Sequence, residues 1–183
     1  MCSDFLPRIQ MLSQNGIEII LREKDLSEQA YEQLAKQIIA LCPNVVLHTY
    51  INAAKRLGVK KIHLPIHLMH ENFKKDFDTI GVSVHSLEEA AAAEKMGAHY
   101  VTVGHIFATD CKKGLVPRGT EFLREIVHTI TIPVYAIGGI SPQNIDFIRK
   151  AGAAGVCIMS GFMRCENVDK YWEEINKMIH FTT

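Results

Sequence analysis

Residues 100–119 read YVTVGHIFATDCKKGLVPRG. Tyr100, Val101, Thr102 and Val103 are a run of β-formers that predicts a buried strand. Gly104 has no Cβ and lets the backbone approach a neighbour closely. His105 then stands at the strand's carboxyl end. The loop after it carries Thr109, Asp110, Lys112, Lys113 and Arg118, with Gly114, Pro117 and Gly119 as turn signals. Hydroxyl, ammonium and guanidinium donors on one loop suit an anionic ligand. A solvated loop after a core strand has the same composition, so its meaning depends on its surroundings.

Two further stretches supply those surroundings. Val134 to Pro142, VYAIGGISP, is a strand that ends in a Gly pair and runs into a helix start. Gly155 to Gly161, GVCIMSG, is a strand with a small-residue ending. Parallel α/β barrels bind phosphate after their last two strands, on free backbone N–H groups at a helix N-terminus. Gly138, Gly139, Met159, Ser160 and Gly161 are therefore candidate phosphate residues.

Outward from these stretches, strand and helix signals alternate. Strands are expected at 17–22, 45–48, 61–64, 80–84, 100–103, 134–137 and 156–159. Helices are expected at 5–14, 28–41, 52–57, 87–96, 120–129, 142–151 and 168–179, with residues 66–78 left between loop and helix. Asp25 or Ser27 can cap the helix that starts at Glu28. Alternation of this kind implies a parallel sheet covered by helices. Arg22, Lys24, His48, His63, Ser83, His85, His105, Ser141 and Ser160 then fall at strand carboxyl ends, the active face of a barrel. Any single one of these histidines serves equally well as a hydrogen-bonded core or rim residue.

The totals fit one domain over residues 1–183. The chain is 48% hydrophobic with a formal net charge of zero. Neutral charge argues against nucleic acid as a partner. No apolar run approaches the roughly 20 residues of a membrane span. The start, MCSDFLPRIQ, lacks the pattern of a secretory signal, so a cytoplasmic location is expected. The five cysteines are scattered and form no CxxC, which suits reduced thiols better than a disulfide frame or a zinc site. Cys111 lies in the central loop, but no sequence logic pairs it with a base.

LREKDLS (21–27), IGVSVHSLEEAAAAEKMGAHYVTVG (80–104), GHIFATDCKKG (104–114), YAIGGI (135–140) and IMSG (158–161) together resemble the thiamine phosphate synthase/TenI superfamily of (β/α)8 TIM barrels. The resemblance runs from about Gly16 to the C-terminus. Members open with a strand of the LYLIT type, and no such strand is evident here. The expected fold is thus a TIM barrel lacking its first strand, with seven strands. Its two edges would be closed by a partner subunit in a homo-oligomer, by a rearranged N-terminus, or by an upstream segment.

The resemblance also implies a chemistry. Synthases carry Gln-Leu-Arg-x-Lys on the second strand to hold a pyrimidine pyrophosphate; Arg22 and Lys24 match it, and Ile20 replaces the glutamine. The synthases' two metal-binding aspartates fall in Asn-Asp-Arg and Gly-Gln-Glu-Asp, which here read His48-Thr49-Tyr50 and Pro65-Ile66-His67-Leu68. No metal or other cofactor is therefore expected, since Mg²⁺ wants carboxylate oxygens. TenI-type members share this loss and carry a histidine at the place of His105, before a Cys-Lys-Lys-Gly loop. That branch implies a thiazole tautomerase, which moves a proton within a carboxylated thiazole phosphate to yield the aromatic ring. His105 would carry the proton, with His85 in reserve. Ser83, His85, Thr109, Lys112 and the small-residue turns would bind the small-molecule phosphate, and Arg22, Lys24 or Lys112 would meet the carboxylate. The competing readings are thiamine phosphate synthase and a non-catalytic binder of thiazole or thiamine phosphates.

Overall fold

The computed structural model describes residues 4–179. Helices and strands alternate along the chain: α1 Phe5–Gln14, β1 Ile20–Leu21, α2 Glu28–Leu41, β2 Val46–His48, α3 Ile51–Arg56, β3 Lys61–Pro65, β4 Thr79–Val84, α4 Leu87–Met96, β5 Tyr100–Gly104, α5 Gly119–Thr129, β6 Val134–Ile137, α6 Ile145–Lys150, β7 Gly155–Cys157, α7 Ser160–Arg164 and α8 Val168–Asn176. The seven strands are all parallel and stand in chain order, curled into a half-barrel with helices alternating along it. Among the described residues β1 pairs only with β2, and β7 only with β6, so the sheet is open and not a closed eight-stranded barrel. β1 is the shortest strand, two residues where six were expected, because it has a ladder partner on one side alone.

Period-two alternation divides each strand between two environments. Leu21, Leu47, Ile62, Ile80, Val82, Val101, Val103, Val134 and Ala136 are buried, in matched register from β1 to β6. They form one core with Tyr31, Ala35 and Ile38 of α2, Ala90 and Ala93 of α4, Leu123 and Ile126 of α5, and Ile145 and Ile148 of α6. Each fully buried aliphatic side chain contributes about 1.5–3 kcal/mol, so this layer supplies most of the drive to fold.

The helix starts follow from side-chain caps. Ser27 Oγ accepts from the Ala30 N–H at 3.2 Å, which settles the capping choice in its favour. Ser86 Oγ accepts from the Glu89 N–H at 3.1 Å, and the Glu89 carboxylate accepts from the His85 N–H at 2.6 Å. This reciprocal pair fixes the chain direction where β4 hands over to α4. Gly97, at φ +88, ends α4 in the left-handed region that favours glycine. Residues 66–78 resolve into two short 3₁₀ turns, Ile66–Leu68 and Glu71–Lys75.

Candidate active site at the carboxyl ends of the strands

The alternate face of the sheet is polar, unlike the helix-facing one. His48 pairs in register with His63, His63 with Gly81, Gly81 with Tyr100, and Ser83 with Thr102. His48 and His63 stack at 5.3 Å between ring centroids. His63 Nδ1 lies 3.1 Å from the Tyr100 hydroxyl, and its Nε2 lies 2.8 Å from Ser83 Oγ and 3.2 Å from Thr102 Oγ1. His48, His63 and Thr102 are buried. Burial pushes the His63 pKa down to about 3, helped by the charges of His48 and Arg22. Burial likewise lowers His48 to about 4, with Arg22 adding to it. Both rings are therefore neutral near pH 7. The two histidines expected at the strand mouths are thus embedded one layer below them.

Tyr31 holds this layer from outside. Its hydroxyl donates to the Leu21 carbonyl at 2.7 Å and accepts from the His48 N–H at 3.0 Å, tying α2 to β1 and β2. Burial keeps its phenol protonated, with a raised pKa. Thr49 follows at φ +70, an uncommon conformation for a residue with a Cβ. Its N–H donates to the His63 carbonyl at 3.0 Å, and the Tyr50 hydroxyl turns away to the Leu26 carbonyl. The sites that carry aspartates in synthases thus offer a hydroxyl at Thr49 and an alkyl chain at Leu68, and these residues do not fit a Mg²⁺ ion.

The mouth of the half-barrel lies above this layer. His85 is exposed, with Nδ1 3.4 Å from the Gly104 carbonyl. His105 is half-buried, with Nε2 3.4 Å from the Leu115 carbonyl, and the Gly104–His105 peptide is cis. The chain beyond β5 keeps pairing with β6: the Ile106 N–H donates to the Ile137 carbonyl and the Phe107 N–H to the Gly138 carbonyl, each at 3.0 Å. The loop closes on its own start, since the Arg118 N–H donates to the His105 carbonyl at 2.9 Å and the Gly119 N–H to that of Ile106 at 3.1 Å. Arg118 itself lies over the Phe122 ring at 4.9 Å. Gly138 and Gly139 have φ of +99 and +68, and a Cβ on either would strike the backbone of residues 105–108. The glycine pair is thus needed first for close passage of the His105 loop.

Thr109, Lys112, Gly139, Ser160 and Gly161 of the expected set line one cavity of about 640 Å³. Lys113, Ser141, Arg164 and Tyr171 join them there. His105, His85, Ser83, Arg22, Lys24, Gly138 and Met159 are not among its lining residues. Arg22 and Lys24 are exposed at the end of β1, and Met159 is 57% exposed. Arg164 donates to Asp110 at 3.0 Å and so ties α7 to the β5 loop. Sequence reasoning missed Arg164 and Tyr171. Arg164 has a signal in the sequence, since it lies four residues after Ser160 and so one helical turn along the same face. Tyr171 has none, because only tertiary packing sets it against Gly161. Cys157, on β7, is held as a thiol by burial, with its pKa pushed up to about 12.

Fold and site together define a parallel α/β half-barrel with an imidazole–hydroxyl layer beneath a cationic, glycine-lined mouth. Residues 1–162 match the family described as thiamine monophosphate synthase, and the chain belongs to that family. Similar proteins include a thiamine-phosphate synthase of Fusobacterium nucleatum, 31% identical over 95% of this chain and 89% of the relative. Another is a thiamine-phosphate synthase of Pyrococcus abyssi, 35% identical over 93% of this chain and 86% of the relative. Among solved structures, a thiamine phosphate pyrophosphorylase of Pyrococcus furiosus superposes with a TM-score of 0.82 at 30% identity, covering 94% of this chain and 88% of that one.

Proposed function

We propose that this chain acts on a thiazole phosphate in thiamine biosynthesis and that its reaction is a proton transfer, thiazole tautomerisation. The observation that carries the reading is the setting of His105. It stands at the end of β5, and its loop brings Thr109 and Lys112 to the cavity lined by Gly139, Ser160 and Gly161. The phosphate would sit on those N–H groups and cations, with Gly138 beside them. The carboxylate would meet Arg22 or Lys24 across the mouth. His105 would take a proton from one carbon of the ring system and return it to another, a step that needs no redox partner and ends in an aromatic ring.

The names of the relatives support a second reading, condensation of the thiazole phosphate with a pyrimidine pyrophosphate. The residues at Thr49 and Leu68 speak against its metal-assisted form. One set of assays separates the two. Pure protein should aromatise a carboxylated thiazole phosphate without added metal. His105→Gln should still bind the product but turn over at least about a hundredfold slower, the usual scale for a lost acid–base group. Robust Mg²⁺-dependent formation of thiamine phosphate would instead establish the transferase, and near-native turnover by His105→Gln would remove His105 from the chemistry.

A further inference from the structure

The last rung between β1 and β2 is made by a side chain. Leu21 pairs with Leu47, and the rung beneath runs directly, from the Val46 N–H to the Ile19 carbonyl at 2.8 Å. In a parallel ladder the next rung would run from the His48 N–H to the Leu21 carbonyl. The Tyr31 hydroxyl of α2 takes that place, accepting from the His48 N–H at 3.0 Å and donating to the Leu21 carbonyl at 2.7 Å. Both directions are forced, because an amide only donates and a carbonyl only accepts. The His48 carbonyl is diverted as well, since it accepts from the Tyr50 N–H at 2.8 Å. On its other side β2 stays in the sheet, with His48 opposite His63 and the Thr49 N–H on the His63 carbonyl at 3.0 Å. The break is thus confined to the β1 side of β2, at the mouth end.

A direct rung holds nitrogen and oxygen about 2.9 Å apart. Through a hydroxyl oxygen, with its roughly tetrahedral angle, two such bonds in series hold them about 4.5 Å apart. β1 therefore parts from β2 at Leu21, and Arg22 is the first residue past the spacer. One more step of the register would set Arg22 opposite His48, on the same face of the sheet. Its charge reaches both interior rings, since it helps to lower His48 and His63 alike. The phenol is fixed from its own side. Tyr31 is fully buried, its ring lies against that of Tyr50 at 4.3 Å between centroids, and the Tyr50 hydroxyl is held by the Leu26 carbonyl.

We infer that Tyr31 is a positioning residue: its hydroxyl, built into the sheet as a spacer between β1 and β2, sets where the Arg22 guanidinium stands over the mouth to meet the substrate's carboxylate. The inference rests on the thiazole phosphate reading for the identity of the ligand, and on geometry alone for the spacer. A guanidinium forks onto a carboxylate only at a narrow range of distance and angle, so a displacement on the order of 1–2 Å separates a paired charge from an unpaired one.

Proton NMR of the free wild type tests the spacer without any ligand. A slowly exchanging Tyr31 hydroxyl proton with a nuclear Overhauser contact to the His48 amide is expected, and its absence overturns the inference. Calorimetry with two probes tests the positioning: the carboxylated aromatic thiazole phosphate, and the same thiazole phosphate without its carboxylate. Arg22→Ala should weaken the carboxylated probe about thirtyfold, the scale of a hydrogen-bonded charge. Tyr31→Phe, with its fold retained by circular dichroism, should weaken it about fivefold and leave the other probe within about twofold. In the Arg22→Ala background the Tyr31 change should cost nothing further, since the two act through one contact. A Tyr31→Phe protein that loses both probes equally has a merely structural tyrosine, and this overturns the inference, as do additive losses in the double variant. A wild type that binds the two probes alike would sink the carboxylate reading and the role given to Tyr31 with it, while the amide contact would still establish the hydroxyl rung.

Discussion

Lowering the pH from about 7.5 to about 5 should remove on the order of 4 kcal/mol of folding stability, and two residues should account for it. His48 is held near a pKa of about 4 and His63 near about 3 in the folded chain. The cause is burial first; for His63 the neighbouring His48 comes next, and Arg22 lowers both rings further. An unfolded histidine titrates near about 6.5. As the pH falls past that value, the unfolded chain takes up protons that the folded chain does not, so the unfolded state gains. Stability that is fully present above about pH 7 therefore drains away down to the folded values. At about pH 5 each ring contributes roughly 2 kcal/mol of this loss, from the linkage between proton uptake and folding. Urea unfolding with linear extrapolation at the two pH values reads the quantity directly. His48→Gln and His63→Gln should each start less stable at about pH 7.5 and each lose about half of the pH dependence. A wild type equally stable at both pH values would refute the reasoning. A His63→Gln protein that kept the full fall would do the same.

The cavity and its rim give two more expectations. Gly139→Asp places a carboxylate at φ +68 against the His105 loop and beside the proposed anion site; affinity for thiazole phosphate should drop at least about a hundredfold through charge and clash, and unchanged affinity by calorimetry would move the phosphate elsewhere. Arg164→Ala unties α7 from Asp110 and removes a cavity cation; thiazole phosphate should bind about five- to tenfold more weakly in low salt, whereas Lys150→Ala, whose partner Asp146 lies on α6, should leave it unchanged.

Much of the fold was legible because each strand and helix carries its own local signal. α1 and α2 fall on the residues expected from the Asn15-Gly16 stop and the Ser27 cap, and all seven strands fall where their apolar runs lie. Strand ends were less legible, since a strand stops where its neighbour does. β1 shrinks to Ile20–Leu21 for that reason. α6 begins three residues later than Pro142 suggests, because the Asn144 side chain accepts from the Ser141 N–H at 2.9 Å and donates to the Gly139 carbonyl at 2.8 Å, holding the turn open. The candidate site was legible in its residue types and less so in its layers. Period two says that His48 and His63 share a face with Ser83 and Thr102, but not that these strands place the rings below the mouth. Gly138 and Gly139 were expected to serve an anion; their need to clear residues 105–108 comes from a tertiary contact that no local pattern encodes.

The lengths of the ladders have a bearing on how the site moves. β3, β4 and β5 hold each other through registers of five and four residue pairs, whereas β1 is held to β2 by two. Local opening starts where few hydrogen bonds must break together, and amide exchange reports it. The half-barrel should thus have a slow-exchanging centre that carries His63, Ser83 and Thr102, and a fast-exchanging edge that leads to Arg22 and Lys24. Arg22 and Lys24, the cations proposed to meet the substrate's carboxylate, thus sit on the part of the sheet that yields most easily. His105, the proposed proton carrier, directly follows β5, on the part that yields least. On the proposed function, charge capture and proton transfer would fall to strands of different lifetime within a single sheet.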